Sequence, residues 1–212
     1  MSDPNPEASA PTEPRPGLGR GLKLAVVAAV LIGLAGVLYV SFGASGKPGG
    51  ADRVQALATG TLAKLQVPKT PVAAPGVSFN GPDGAPARLT DFRGKVVVLN
   101  LWATWCAPCV KEMPTLAALQ TAYAGKPVQV LAVSQDRTDK TADARAFIAK
   151  HAPLAFYQDA AFALMPALDL PAPGFPTTVI YDKQGLQRAY LQGEADWSSP
   201  EARAVIDKLL GE

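Results

Sequence analysis

Only two cysteines occur in the 212-residue chain, and they stand two residues apart in Cys106-Ala107-Pro108-Cys109. Ahead of them Val96-Val97-Val98-Leu99-Asn100-Leu101-Trp102 is an apolar, β-branched run, the composition of a strand covered on both faces. The pair therefore falls just past the carboxyl end of a central strand, where open α/β sheets carry their chemistry. A helix beginning at Cys106 puts the first sulfur against unpaired backbone N–H groups and the positive end of the helix dipole, and both favour thiolate. Cys109, one turn inside, is close enough to close a disulfide and is shielded by its own helix. The chemistry this spacing suggests is dithiol–disulfide exchange. An inert structural bridge is the weaker reading, because two intervening residues close almost no chain and constrain the unfolded state little.

The elements around the pair are read from periodicity. Leu116, Leu119 and Tyr123 share one face of a helix over about 107–123, with Pro108 tolerated in its first turn and Pro114 expected to kink it. Val128–Ser134 is a second strand and 141–150 a helix stopped near Pro153. A short strand over 154–157, a helix over 160–168 interrupted by Pro166, a strand over 177–182 and its returning partner over 186–192 follow. Ser198 with Glu201 forms a capping box for a last helix whose apolar face is Val205, Ile206, Leu209 and Leu210. Before the central strand, Val77–Asn80 and Ala87–Leu89 flank the turn-rich Gly81-Pro82-Asp83-Gly84, a β-hairpin. The fold class is α/β, a central mixed sheet flanked by helices, large enough for its own core.

Composition divides the rest. Residues 1–21, rich in Pro, Gly, Ser and Glu, read as a disordered tail. From Leu24 to Phe42 no residue is charged, a helix of roughly 30 Å and enough to span a bilayer. A cleavable signal peptide has a shorter apolar region, although Phe42-Gly43-Ala44-Ser45 offers a peptidase small residues, and a buried core helix is the other alternative. An uncleaved transmembrane signal anchor over 22–43 is the preferred reading. Arg15, Arg20 and Lys23 precede the uncharged run and Lys47 and Arg53 follow it, a small positive-inside excess that places the tail in the cytoplasm. Residues 44–75 read as a linker carrying one short helix, with Val54, Leu57, Ala58, Leu62 and Leu65 at helical spacing, and 76–212 as the folded domain. The formal charge of +2 and the absence of basic stretches interleaved with aromatics exclude nucleic acid as a partner.

Asn100–Cys109 with its two tryptophans, Glu112-Met113-Pro114, and Gly174-Phe175-Pro176-Thr177-Thr178 together resemble the membrane-anchored thioredoxin-like reductases of the TlpA type, the TlpA/ResA/CcmG group. The likeness extends over 50–212, including Leu89–Lys95 and Gly193-Glu194-Ala195-Asp196-Trp197. It implies a thioredoxin fold with Cys106 as nucleophile, Cys109 as resolving thiol, and a cis Phe175–Pro176 bond facing them. Trp105, Phe175 and Thr177 are then the residues that meet a client. Thioredoxins proper carry a buried aspartate at the position of Asn100; here an acid stands at Glu112, expected half-buried behind the disulfide and able to take the proton of Cys109. A solvated helix glutamate is the bland alternative. Trp102 is expected in the core, Lys111 in solvent, and His151, the only histidine, as a helix-end cap.

The resemblance implies no cofactor and no resident metal. It also implies protein disulfide clients: an oxidase copper centre or its assembly factor, or apocytochrome c. A membrane thiol carrier would be the reductant, and the setting a bacterial inner membrane crossed once, with the catalytic domain in the periplasm. A copper metallochaperone-like protein without redox turnover is the competing class, though His151 lies outside any cysteine-bearing loop. A peroxidase of the peroxiredoxin type would need threonine and proline where Ala103 and Leu99 stand. A DsbA-like oxidase would share the cysteines but lack an anchor and carry a larger helical insertion.

Overall fold

A computed structural model describes residues 19, 29–31, 50–168, 170–171 and 174–212. The chain divides into two units, 1–47 and 48–212; of the first, only Gly19 and a helical stretch at 29–31 are described. Among the described residues no helix is long and apolar enough to cross a membrane. The tail expected over 1–21 and the span expected over 22–43 lie, those few residues apart, outside the described residues.

The second unit is built around β4 (Val96–Trp102), every residue of which is buried. β4 runs parallel to β5 (Val128–Ser134) and antiparallel to β7 (Thr177–Tyr181), which in turn pairs with β8 (Leu186–Gln192). With β1 (Val72–Ala73), β2 (Ser78–Asn80), β3 (Pro86–Arg88) and β6 (Tyr157–Gln158) they form one mixed sheet in the order β1-β8-β7-β4-β5-β6-β2-β3. Alternation along β4 feeds two cores. Val96, Val98 and Trp102 pack with the helices α2 (Ala107–Ala122), α3 (Thr141–Ala149) and α5 (Pro200–Leu210). Val97, Leu99 and Leu101 pack with Phe79, Leu89 and Leu164, the last on α4 (Leu164–Ala167). Because β4 and β5 are parallel and joined through α2, residue 106 necessarily emerges at the carboxyl edge of the sheet.

Most elements stand where the periodicity puts them, and the differences have local causes. The expected linker is largely part of the domain. α1 (Gly50–Leu57) and a 3-10 turn over Gly60–Leu62 supply Val54 and Leu62, and Leu65 follows the turn; all three are completely buried in the core that α5 completes. Gln66 and Tyr190 then exchange backbone hydrogen bonds at 2.8 and 2.9 Å. A short amphipathic helix is not stable alone, so its apolar face must find a wall. The last helix is capped by Ser199, not Ser198: Ser199 Oγ accepts the Ala202 N–H at 3.3 Å and Pro200 opens the helix. Ser198 is occupied one residue earlier, its N–H and hydroxyl both donating to Asp196 Oδ1. The strand expected over 154–157 is Tyr157–Gln158, and the helix expected over 160–168 shrinks to four residues because Asp159 accepts the N–H groups of Ala163 and Leu164 and so fixes a late start.

Candidate active site

Cys106 is the N-cap of α2, and its Sγ accepts the Cys109 N–H at 3.3 Å. The helix therefore presents one first-turn donor, the Cys109 N–H, to this sulfur. Cys106 and Cys109 are joined in a disulfide. Cys109 is fully buried and Cys106 is 5% exposed. Trp105, by contrast, is 66% exposed and meets Phe175 edge to face with ring centroids 5.5 Å apart. Trp102 is completely buried, its ring 5.1 Å from that of Phe147.

Glu112 departs from expectation in degree. It is 2% exposed rather than half-buried. Its Oε1 accepts from Asn100 Nδ2 at 2.7 Å, and its Oε2 accepts from the Ala195 N–H at 3.1 Å and Trp197 Nε1 at 3.2 Å. Asn100 Nδ2 also donates to Thr178 Oγ1 at 2.9 Å. Burial pushes the carboxyl from the ordinary 4.5 up to about 7; the Ala195, Asn100 and Trp197 donors oppose the rise and the neighbouring Glu194 adds to it. Desolvation thus outweighs the donors, and the group can hold or release a proton near neutral pH. Beside it a cleft of about 550 Å³, lined by Thr61, Lys64, Lys111, Thr115, Glu194 and Asp196, reaches Glu112 from the surface and gives that proton a way out. Lys111 pairs with Glu194 at 2.6 Å across this cleft, and both are substantially exposed.

Phe175–Pro176 is a cis peptide. Pro176 is buried, Phe175 half-buried, and the Pro176 carbonyl accepts the Gly193 N–H at 2.9 Å. Thr177 is fully buried: its hydroxyl donates to the Gly174 carbonyl and its backbone lies between Leu101 and Gln192 in the sheet. It holds the loop from behind, and its fully buried side chain presents no exposed surface. His151 Nδ1 lies 2.9 Å from the Phe147 carbonyl at the end of α3, the helix-end role expected of it.

Two donors of the Glu112 shell had no role in the sequence reading. Ala195 and Trp197 lie in Gly193-Glu194-Ala195-Asp196-Trp197, a segment marked by the family likeness but unreadable as a ligand of an acid more than eighty residues earlier. Asn100 stands in the sequence as a polar residue inside an apolar strand, at the position of the thioredoxin aspartate, and a fully buried amide requires partners, though nothing nearby names Glu112 and Thr178 as those partners.

The Redoxin family model matches residues 69–206. A thiol-disulfide oxidoreductase ResA of Bacillus thuringiensis subsp. konkukian is 44% identical over 66 residues, 31% of this chain and 38% of the relative. The thioredoxin-like protein YneN of Bacillus subtilis is 35% identical over 119 residues, 53% of this chain and 65% of that protein. The matched part thus spans well under half the length of the ResA relative. Among solved structures, a putative thiol:disulfide interchange protein DsbE from Chlorobium tepidum superposes with a TM-score of 0.59 at 28% identity, covering 68% of this chain and 99% of that one. A DsbF homologue from Corynebacterium diphtheriae gives 0.58 at 26% identity, covering 69% and 93%. These matches support a thioredoxin-like oxidoreductase frame of the TlpA/ResA/CcmG type.

Proposed function

The chain belongs to the Redoxin family, and we propose that it is a thiol:disulfide oxidoreductase that reduces disulfides in protein clients. The observation that carries this reading is the pairing of a helix-capping cysteine, which receives the Cys109 N–H, with a buried acid on the same helix. In the reduced protein the Cys106 thiolate attacks one sulfur of a client disulfide. A mixed disulfide forms and the client's other sulfur leaves as thiolate. Cys109 passes its proton to ionised Glu112 and attacks Cys106 Sγ, which closes the Cys106–Cys109 disulfide and releases the second client thiolate. Two electrons have moved to the client, and an external dithiol must restore the enzyme.

Trp105 and Phe175 form the apolar surface that meets the client, and the Phe175–Pro176 loop lies beside its backbone. Thr177 supports that loop. The setting is an inner membrane, with 1–21 cytoplasmic, 22–43 the anchor and the catalytic domain in the periplasm. The clients belong to oxidase copper-centre assembly or cytochrome c maturation, and a membrane thiol carrier supplies electrons. The names of the ResA and DsbE relatives support the activity; the uncharged 24–42 run supports the anchor.

Cys109→Ser leaves the attacking sulfur without its resolving partner, so clients should accumulate as mixed disulfides on Cys106 and be recovered under non-reducing conditions. If Cys106→Ser traps clients and Cys109→Ser does not, the assigned roles are reversed. If neither variant traps any, the exchange mechanism fails.

A further inference from the structure

One buried carboxylate near the dithiol has no part in the steps above. Asp136, two residues beyond β5, is 1% exposed. Its Oδ1 and Oδ2 lie 3.2 and 3.0 Å from the Thr104 N–H, Oδ1 accepts the Thr104 hydroxyl at 2.7 Å, and Oδ2 accepts the Ser134 hydroxyl at 2.9 Å. The Asp136 backbone is fixed in turn: its N–H donates to Ser134 Oγ at 3.0 Å and its carbonyl accepts from Gln158 Nε2 at 3.0 Å. Among the described residues no ion pair involves it. An ion buried without a counter-charge persists only if its donors repay the lost hydration, and here two of the three belong to one residue, Thr104.

Thr104 is the second residue of the turn Ala103–Cys106, closed by the Cys106 N–H donating to the Ala103 carbonyl at 3.1 Å. The third residue of that turn is the exposed Trp105. Cys106 has a separate anchor in the first turn of α2. Among the described residues Trp105 is held by the turn and by its edge contact with Phe175.

We propose that Asp136 is a positioning residue for protein clients: by gripping both donors of Thr104 it fixes the turn that projects Trp105 beside Cys106. The inference rests on the oxidoreductase reading. Asp136→Asn keeps size but replaces one charged acceptor by an amide donor that faces the Thr104 donors. Thr104→Val removes the hydroxyl donor and keeps the shape.

The test compares two disulfides, insulin and 5,5′-dithiobis(2-nitrobenzoate), reduced by the full chain and its variants. The small disulfide does not need Trp105. Asp136→Asn and Thr104→Val should each lower kcat/KM for insulin about tenfold, the loss expected for one charge-assisted hydrogen bond. Reaction with the small disulfide should stay within about twofold. Thr104→Ser, which keeps both donors, should behave as wild type, and Asp136→Asn should add nothing in a Trp105→Ala background. Wild-type turnover of insulin by Asp136→Asn overturns the inference. So does an equal fall with both disulfides, which is the mark of lost folded protein. A wild-type chain that reduces neither disulfide overturns the oxidoreductase reading itself, a result distinct from either of these.

Discussion

Glu112→Gln separates two effects of the buried acid that oppose each other. The native carboxyl titrates near 7 and the ordinary one at 4.5. Below the lower value both folded and unfolded chains hold the proton. Between the two values only the folded chain does, so folding takes up a proton and stability falls as pH rises. Above about 7 both forms are ionised and the loss is complete. At about 1.4 kcal/mol per unit the loss amounts to about 3 kcal/mol. Glutamine cannot ionise, and the site can receive it: Oε1 meets the Ala195 and Trp197 donors while Nε2 faces Asn100. The Asn100 amide then turns over to offer Oδ1, which has no hydrogen-bond partner among the described residues. Urea unfolding of the oxidised full chain should therefore give matching stabilities at about pH 4 and a variant more stable by about 3 kcal/mol at about pH 8. Activity should move the other way. Insulin reduction by wild type should rise through about pH 7 as Glu112 ionises, and the variant should lack that rise and be slower by about 100-fold. A stability difference independent of pH would show that Glu112 ionises as a solvent-exposed acid does, and the proton-acceptor argument would fall with it.

Asn100→Leu removes a donor that favours the ionised form, so the pH rise of the rate should move above that of wild type and stability should drop by about 2 kcal/mol; NMR titration of the Glu112 carboxyl checks the first, urea unfolding the second. Leu62→Ala should cost about 3 kcal/mol in the same unfolding assay, as for any fully buried leucine; a loss under about 0.5 kcal/mol would mean that residues 50–65 are a spacer after all. The reduction potential of the Cys106–Cys109 pair should lie nearer about −270 mV than about −120 mV when equilibrated with glutathione, the direction a reductase requires.

The parts legible in the sequence were those written in a local code. The uninterrupted Val96–Trp102 run announced a strand buried on both faces, and β4 is buried at every residue. The Gly81–Gly84 tetrad announced a hairpin, and Asn80 pairs with Pro86 across it, with Gly84 at a positive φ of 84° that favours glycine. The cysteine pair announced its helix because a cap and a first-turn proline both lie within three residues. What could not be read was relational. Val54, Leu62 and Leu65 carry helical spacing, but nothing nearby says that α5 will cover them. Ser198 and Ser199 are equivalent candidates for a cap until Asp196 takes the first of them.

The shell of Glu112 is relational in the same way, and a chain of hydrogen bonds runs from it to the loop beside Trp105. A carboxylate on α2 is held by an amide from β4 and by two donors from residues 195–197. Gly193, at the head of that segment, donates its N–H to the carbonyl of Pro176 in the loop beside Trp105. Ionised Glu112 accepts from all three of its donors, whereas a proton on Oε2 would have to displace either the Ala195 or the Trp197 hydrogen bond, and a proton on Oε1 the one from Asn100. In the oxidised state the cheaper adjustment is at Oε1, since Asn100 can turn its amide and keep a bond, while the Ala195 backbone cannot. The strand amide is therefore expected to yield as the proton arrives while the 193–197 segment keeps its place: through the titration the Asn100 side-chain amide NMR signals should move, and the Ala195 N–H and Trp197 indole signals should not lose their hydrogen-bonded shifts.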